Sequence, residues 1–191
     1  MYSGLVSPAL LDQLAMLIPH GCAVGEIGLD TTYSVSLERQ EALFRQQVQI
    51  AVQSRLPVLV HCRNAFQKTL SILAEEGAGQ VGGIMHAFSG SVDMARQFIR
   101  LGFAISLSGT VTRPNAVKPL DLARRLPLDH LVLETDAPDM TPYRYRGRWN
   151  RPAWIMETAR AVAELRIMDP ADLAQACYDN SLRILPGLRG L

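Results

Sequence analysis

Leu131-Val-Leu-Glu-Thr-Asp136-Ala-Pro138 is a short apolar run that ends abruptly in two acids and a proline. Three branched apolar residues in succession suit a strand covered on both faces, as in a parallel sheet packed under helices. Pro138 has no N–H to offer a neighbouring strand, so the ladder stops there. On a strand, Glu134 and Asp136 share one face while Thr135 points the other way. Acids placed there cost desolvation energy unless something pairs with them. Taken alone, the stretch fits either a strand that delivers a carboxylate or an acid that caps the next turn. The choice rests on whether other strands end in the same way.

Upstream, four more apolar runs end in polar residues. Residues 22–30 form a run interrupted by Glu26, with glycines that permit close approach of backbone or ligand. Residues 57–61 end in His61, residues 81–86 in His86, and residues 103–107 open into Ser108-Gly109-Thr110. Helical periodicity fills the gaps. Leu37, Phe44, Val48 and Ala51 share a stripe over residues 36–55, and Asn64 is placed to cap a helix that carries Leu70 and Leu73 and stops at Gly77. Helices are also expected over 91–101 and 115–126, the latter with Pro119 in its first turn or at a kink, then over 152–166 and from Asp169-Pro170 onward. A further helix is expected over 7–18. Strand, loop and helix recurring in this order are βα units, which predicts a parallel α/β sheet.

Composition agrees with an ordinary globular chain. The 191 residues are 48% hydrophobic and 19% charged, long enough for the one domain expected over residues 1–191. A formal charge of +1 exerts no global pull on nucleic acid or membrane, so any polyanion binding must come from a local patch. Three scattered cysteines suit a reducing compartment rather than a disulfide scaffold. The absence of an early basic segment and of a long apolar run predicts no secretory signal and no membrane span, hence a cytoplasmic protein.

In parallel α/β folds the C-terminal strand ends share one edge, where sites are built. Glu26, His61, His86 and Asp136 all sit at such ends, separated by 35, 25 and 50 residues. Two imidazoles and two carboxylates on one edge suit a divalent metal. Singly, each histidine reads as readily as a hydrogen-bonded core residue. His20 and His130 fall at strand starts and read as structural, and Cys62 faces away from His61, which argues against a thiol catalyst. Beyond Asp136, residues 143–151 interleave four arginines with Tyr143, Tyr145 and Trp149, a pattern for clamping phosphates and stacking bases, or a solvated loop covering the rim. The turns at 86–91 and 108–110 could offer backbone N–H groups to a phosphate.

Gly25-Glu-Ile-Gly-Leu-Asp30, Val60-His-Cys-Arg63, His86-Ala-Phe-Ser-Gly90, Glu134-Thr-Asp-Ala-Pro138 and Arg146-Gly-Arg-Trp-Asn-Arg-Pro152 occur in order along nearly the whole chain. Together they resemble the TatD family of metal-dependent hydrolases, many of them deoxyribonucleases. The resemblance implies a TIM-barrel-like fold and one or two divalent ions, Mg, Mn or Zn, held by Glu26, His61, His86 and Asp136. It also implies phosphodiester hydrolysis on DNA, with Arg63 and Asn150 near the substrate.

Two departures stand out. The family's first strand carries His-x-His, a motif absent from this sequence, and Arg151 stands where the family usually has an acid. About five of a barrel's eight strands are expected, against the roughly 250 residues of a full barrel. A shortened gene product or a barrel remnant is therefore expected. The leading expectation is a hydrolase in which metal-activated water attacks phosphorus in line, Asp136 ligating and orienting or deprotonating that water, and Arg146, Arg148 and Arg151 holding phosphates. Glu134, one step deeper, is expected to support the ligands. A non-catalytic barrel fragment and an amide or lactone hydrolase remain as alternatives.

Overall fold

A computed structural model of the chain describes residues 13, 14, 16–18 and 21–188. Most of the helix expected over 7–18, and His20, lie outside these residues. Within the described part, β1 (Val24–Asp30), β2 (Val58–Arg63), β3 (Gly83–Met85), β4 (Phe103–Leu107) and β5 (Leu131–Leu133) form one sheet in sequential order. Every neighbouring pair is parallel. The helices α1 (Leu37–Ser54), α2 (Phe66–Glu75), α3 (Val92–Arg100) and α4 (Lys118–Arg125) make the crossovers, and α5 (Ile155–Arg166) and α6 (Pro170–Ile184) follow β5. A strand order that never reverses is the winding of a barrel, in contrast to the switch point of a doubly wound sheet.

Strand alternation divides the side chains between two faces. In β2, Val58, Val60 and Cys62 join the main core with Phe44 and Val48 of α1, Ile72 and Leu73 of α2, and Phe98 of α3. The opposite face carries a small second cluster, Ile84, Ala104 and Val132, covered by Leu59, Ile184 and Leu185. That second face would be the interior of a closed barrel, and on it His61 stands one step beyond Leu59. The apolar layer thus ends where the polar site begins.

Several local expectations are corrected. Asn64 does not cap α2: it adopts a left-handed φ of 58°, and the cap position falls on Ala65 with no side-chain bond. The last strand stops at Leu133, with Glu134 N–H donating one further bond to Leu107 O at 3.1 Å. Asp136 has left the strand conformation, with φ 56°, so the two acids reach the site from a turn. Pro119 occupies the first turn of α4, where its missing N–H costs nothing, and Asp169 caps α6 by accepting from Ala171 N at 2.7 Å. No helix among the described residues is long and apolar enough to cross a membrane.

Candidate metal centre

The first anchor of the site is β1. Its pairing with β2 shifts register between Val24 and Ile27, which places Glu26 at the irregularity with its side chain 47% exposed. Gly28 lies opposite His61, and a β-carbon there would sit 1.8 Å from His61 O. Only glycine lets the two strands approach this closely beneath the site.

Donor atoms of Glu26, His61 and His86 all lie within 4.8 Å of one another, a spacing that could hold a metal ion. His86 is the hub. Its Nε2 is 3.3 Å from Glu26 Oε1 and 3.4 Å from Asp136 Oδ1, while Nδ1 is 2.9 Å from Glu134 Oε2. Burial alone would lower the His86 pKa, but the Glu134 hydrogen bond and the charges of Glu134, Glu26 and Asp136 outweigh it and raise the value to about 9. Burial, and then the neighbouring Glu134, Glu26 and Asp139 carboxylates, push Asp136 upward against the opposing pull of His86. A surplus of negative charge is thus gathered around one ring nitrogen.

The donor set fits a divalent cation. Glu134 Oε1 is buried and has no hydrogen-bond partner among the described residues. Mixed imidazole and carboxylate ligands suit Zn and Mn, while carboxylate oxygens suit Mg. His61 Nε2 is 3.0 Å from Asp30 Oδ2. Asp30 is only 2% exposed, and sequence reading assigned it no role. The signal was present, since period-two alternation from Glu26 through Gly28 reaches Asp30. Cys62 points to the opposite face, 3.2 Å from Thr69 Oγ1, and burial raises its thiol pKa.

The residues expected to touch substrate divide into two groups. Arg146 and Arg148 line a cavity of about 600 Å³ together with Arg113, Asn115, Tyr143 and Trp149. Pro138 and Asp139, which also line it, follow Asp136 after Ala137, and Asp139 N–H donates to Asp136 O at 2.8 Å, which ties the cavity to the carboxylate beside His86. Arg146 packs over Tyr143, its Cζ 4.7 Å from the ring centre. Arg63, two residues beyond His61, is exposed on the same face of β2. Arg151 instead lies over Trp154, which stacks on Tyr145 at 4.1 Å.

Asn150 is turned inward. It is 6% exposed and donates to Thr135 O and Asp139 O, each at 2.7 Å, so its amide braces the Asp136 turn. The turns expected to offer N–H groups also spend two of them internally: Phe88 N–H donates to Ser106 O, and Thr110 N–H donates to Ser108 Oγ. Arg113 went unread because it stands alone in sequence, 33 residues before Arg146.

Contrary to expectation, Glu26 and His61 lie inside β1 and β2 and only His86 and Asp136 lie beyond their strands, because β1 and β2 run on to Asp30 and Arg63. A sheet wound in one direction that gathers these imidazoles and carboxylates defines a TIM-barrel-type α/β protein with a candidate metal centre. The sequence model of the TatD-related DNase family matches residues 7–186, and the chain belongs to that family. It is 39% identical over 163 residues to YabD of Bacillus subtilis and 40% identical over 163 residues to YcfH of Escherichia coli K12, both described as uncharacterized metal-dependent hydrolases. Each alignment covers 85% of this chain, and the chain spans 64% and 62% of the two relatives' lengths. The crystal structure of the E. coli TatD homolog YjjV superimposes with a TM-score of 0.90 at 34% identity, covering 97% of this chain and 74% of that one.

Proposed function

We propose that the chain acts as a metal-dependent phosphodiester hydrolase with DNA as its substrate class. One observation carries the reading: the donor cluster of Glu26, His61 and His86 is linked through Asp136, 3.4 Å from His86, to Asp139, which donates its N–H to Asp136 O at 2.8 Å and lines an arginine-bearing cavity. Glu26, His61, His86 and Asp136 would hold one or two divalent ions, Mg, Mn or Zn. Such an ion, when bound, polarises a phosphoryl oxygen and makes water more acidic.

The remaining work falls to side chains. Asp136 reaches the site from a turn, and its carboxylate, 29% exposed, has access to an attacking water. It is placed to orient that water and accept its proton. Glu134 holds His86 from behind. Arg113, Arg146 and Arg148 present guanidinium forks that bind phosphate oxygens in pairs, and exposed Trp149 offers a stacking face to a base. Three arginines in one cavity wall favour a polyanionic substrate over a neutral amide or lactone.

The test is cleavage of DNA with added Mg, Mn or Zn, beside a lactone as the contrasting substrate. Asp136→Asn is expected to lower phosphodiester turnover by about 100-fold or more, the scale of losing a general base. Turnover equal to that of the unaltered chain, or faster cleavage of the lactone, would overturn the assignment.

A further inference from the structure

Asp30 is a buried acid, held by several hydrogen bonds, that the reaction as proposed leaves unused. Its main chain is clamped on both sides by one buried side chain, since Asp30 N–H donates to Gln40 Oε1 at 2.9 Å and Gln40 Nε2 donates to Asp30 O at 3.0 Å. The carboxylate is directed as firmly. Thr32 N–H and Thr32 Oγ1 both donate to Oδ1, at 2.8 and 2.6 Å, which leaves Oδ2 as the oxygen facing His61 Nε2 at 3.0 Å. An ionised carboxylate only accepts hydrogen bonds, so the partner nitrogen must carry the proton.

We infer that Asp30 is a positioning residue that fixes His61 as the Nε2–H tautomer, so that Nδ1 is the His61 atom available to a cation. Glu134 does the reverse at His86. It takes the proton of Nδ1 and leaves Nε2, the atom that faces Glu26 and Asp136. The two imidazoles thus use opposite ring nitrogens, each set by its own carboxylate. Asp30 stands at the end of β1 with its pairing position at Arg63, beyond His61, and its Oδ2 meets the far nitrogen of that ring. Glu134 follows β5 and reaches His86 at its near nitrogen.

This inference rests on the reading of Glu26, His61 and His86 as a cation site, but its first measurement does not need the metal. Long-range proton–nitrogen spectra of metal-free protein labelled with 15N-histidine report the tautomer of each ring at alkaline pH, with His61→Gln identifying the resonance. The expected result is a protonated Nε2 at His61, and a protonated Nδ1 there overturns the inference. Asp30→Asn supplies the second measurement. Its oxygen still accepts from Thr32, but its amide now faces Nε2 with a donor, which drives the His61 proton to Nδ1. Zinc affinity, measured by competition with a chromophoric chelator, is expected to fall about 10- to 100-fold.

Unchanged affinity with an unchanged His61 spectrum in Asp30→Asn would sink the proposal. Should that variant fail to fold, the tautomer in the unaltered protein decides alone. Failure of the unaltered protein to bind zinc, manganese or magnesium counts against the metal reading, and the His61 tautomer still settles the role of Asp30.

Discussion

His86 shows how one residue converts a cluster of acids into a site. With Glu134 on Nδ1 and both Glu26 and Asp136 on Nε2, its proton occupies the place where a bound cation would put positive charge. The folded-state value of about 9 lies above the ordinary 6.5. Protonated His86 therefore stabilises the fold, fully below about pH 6.5, and this contribution is lost as pH rises through about 9. Urea-unfolding midpoints of the metal-free protein should fall across that window. Glu134→Gln removes the strongest influence raising the value, so its midpoints should fall less and at lower pH. A midpoint independent of pH between about 6.5 and 9 in the unaltered protein would contradict the described geometry.

At the level of elements, the end of β5 and the loop that follows decide where Asp136 goes. The apolar residues Leu131, Val132 and Leu133 form the strand as expected, but the ladder stops three residues before Asp136. Asn150, far along the loop, closes the turn by bonding Thr135 O and Asp139 O, while its Oδ1 accepts from Arg151 N at 2.8 Å. Asn150→Ala takes the amide partner from two part-buried carbonyls and one N–H. Each such loss costs about 1–3 kcal/mol, and water reaching the loop recovers part of it. The expected net destabilisation is about 2 kcal/mol by denaturant unfolding, accompanied by weaker metal binding because the Asp136 turn loosens. Loss of stability with zinc affinity untouched would show that Asn150 braces the loop without serving the site. Element types were legible because burial on one or two faces imposes period 3.6 or period 2. The end of β5 was not, because it depends on hydrogen bonds to residues distant in sequence, and at Asn64 the chain takes a left-handed turn in place of the expected cap.

Across the whole molecule, the sheet order brings together residues on β1 and β2 and just after β3 and β5, and the loop after β5 sets Arg146 and Arg148 with Arg113 in the wall of one cavity. A net charge of +1 makes this local patch the main electrostatic attraction for a polyanion. On the proposed reading, DNA binding weakens steeply with salt. Each of Arg113→Ala, Arg146→Ala and Arg148→Ala should reduce the slope of log affinity against log salt by about 0.7 to 0.9, the value of one phosphate contact. Arg151→Ala should change it less, since that guanidinium lies over Trp154. Equal slopes for all four variants would remove the cavity from the binding surface. By itself, the sequence determined the βα order, the parallel sheet, the assignment of Glu26 and His61 to the first two strands and of His86 to the end of the third, and the family resemblance. All of these follow from local periodicity and motif order. Only tertiary structure decided that Asp30 and Glu134 grip opposite nitrogens of the two histidines, that Asn150 faces inward, and that Arg113 joins Arg146 and Arg148. Those roles belong to hydrogen bonds and cavity walls formed between residues that meet only when the strands are laid side by side, so no periodicity along the chain encodes them.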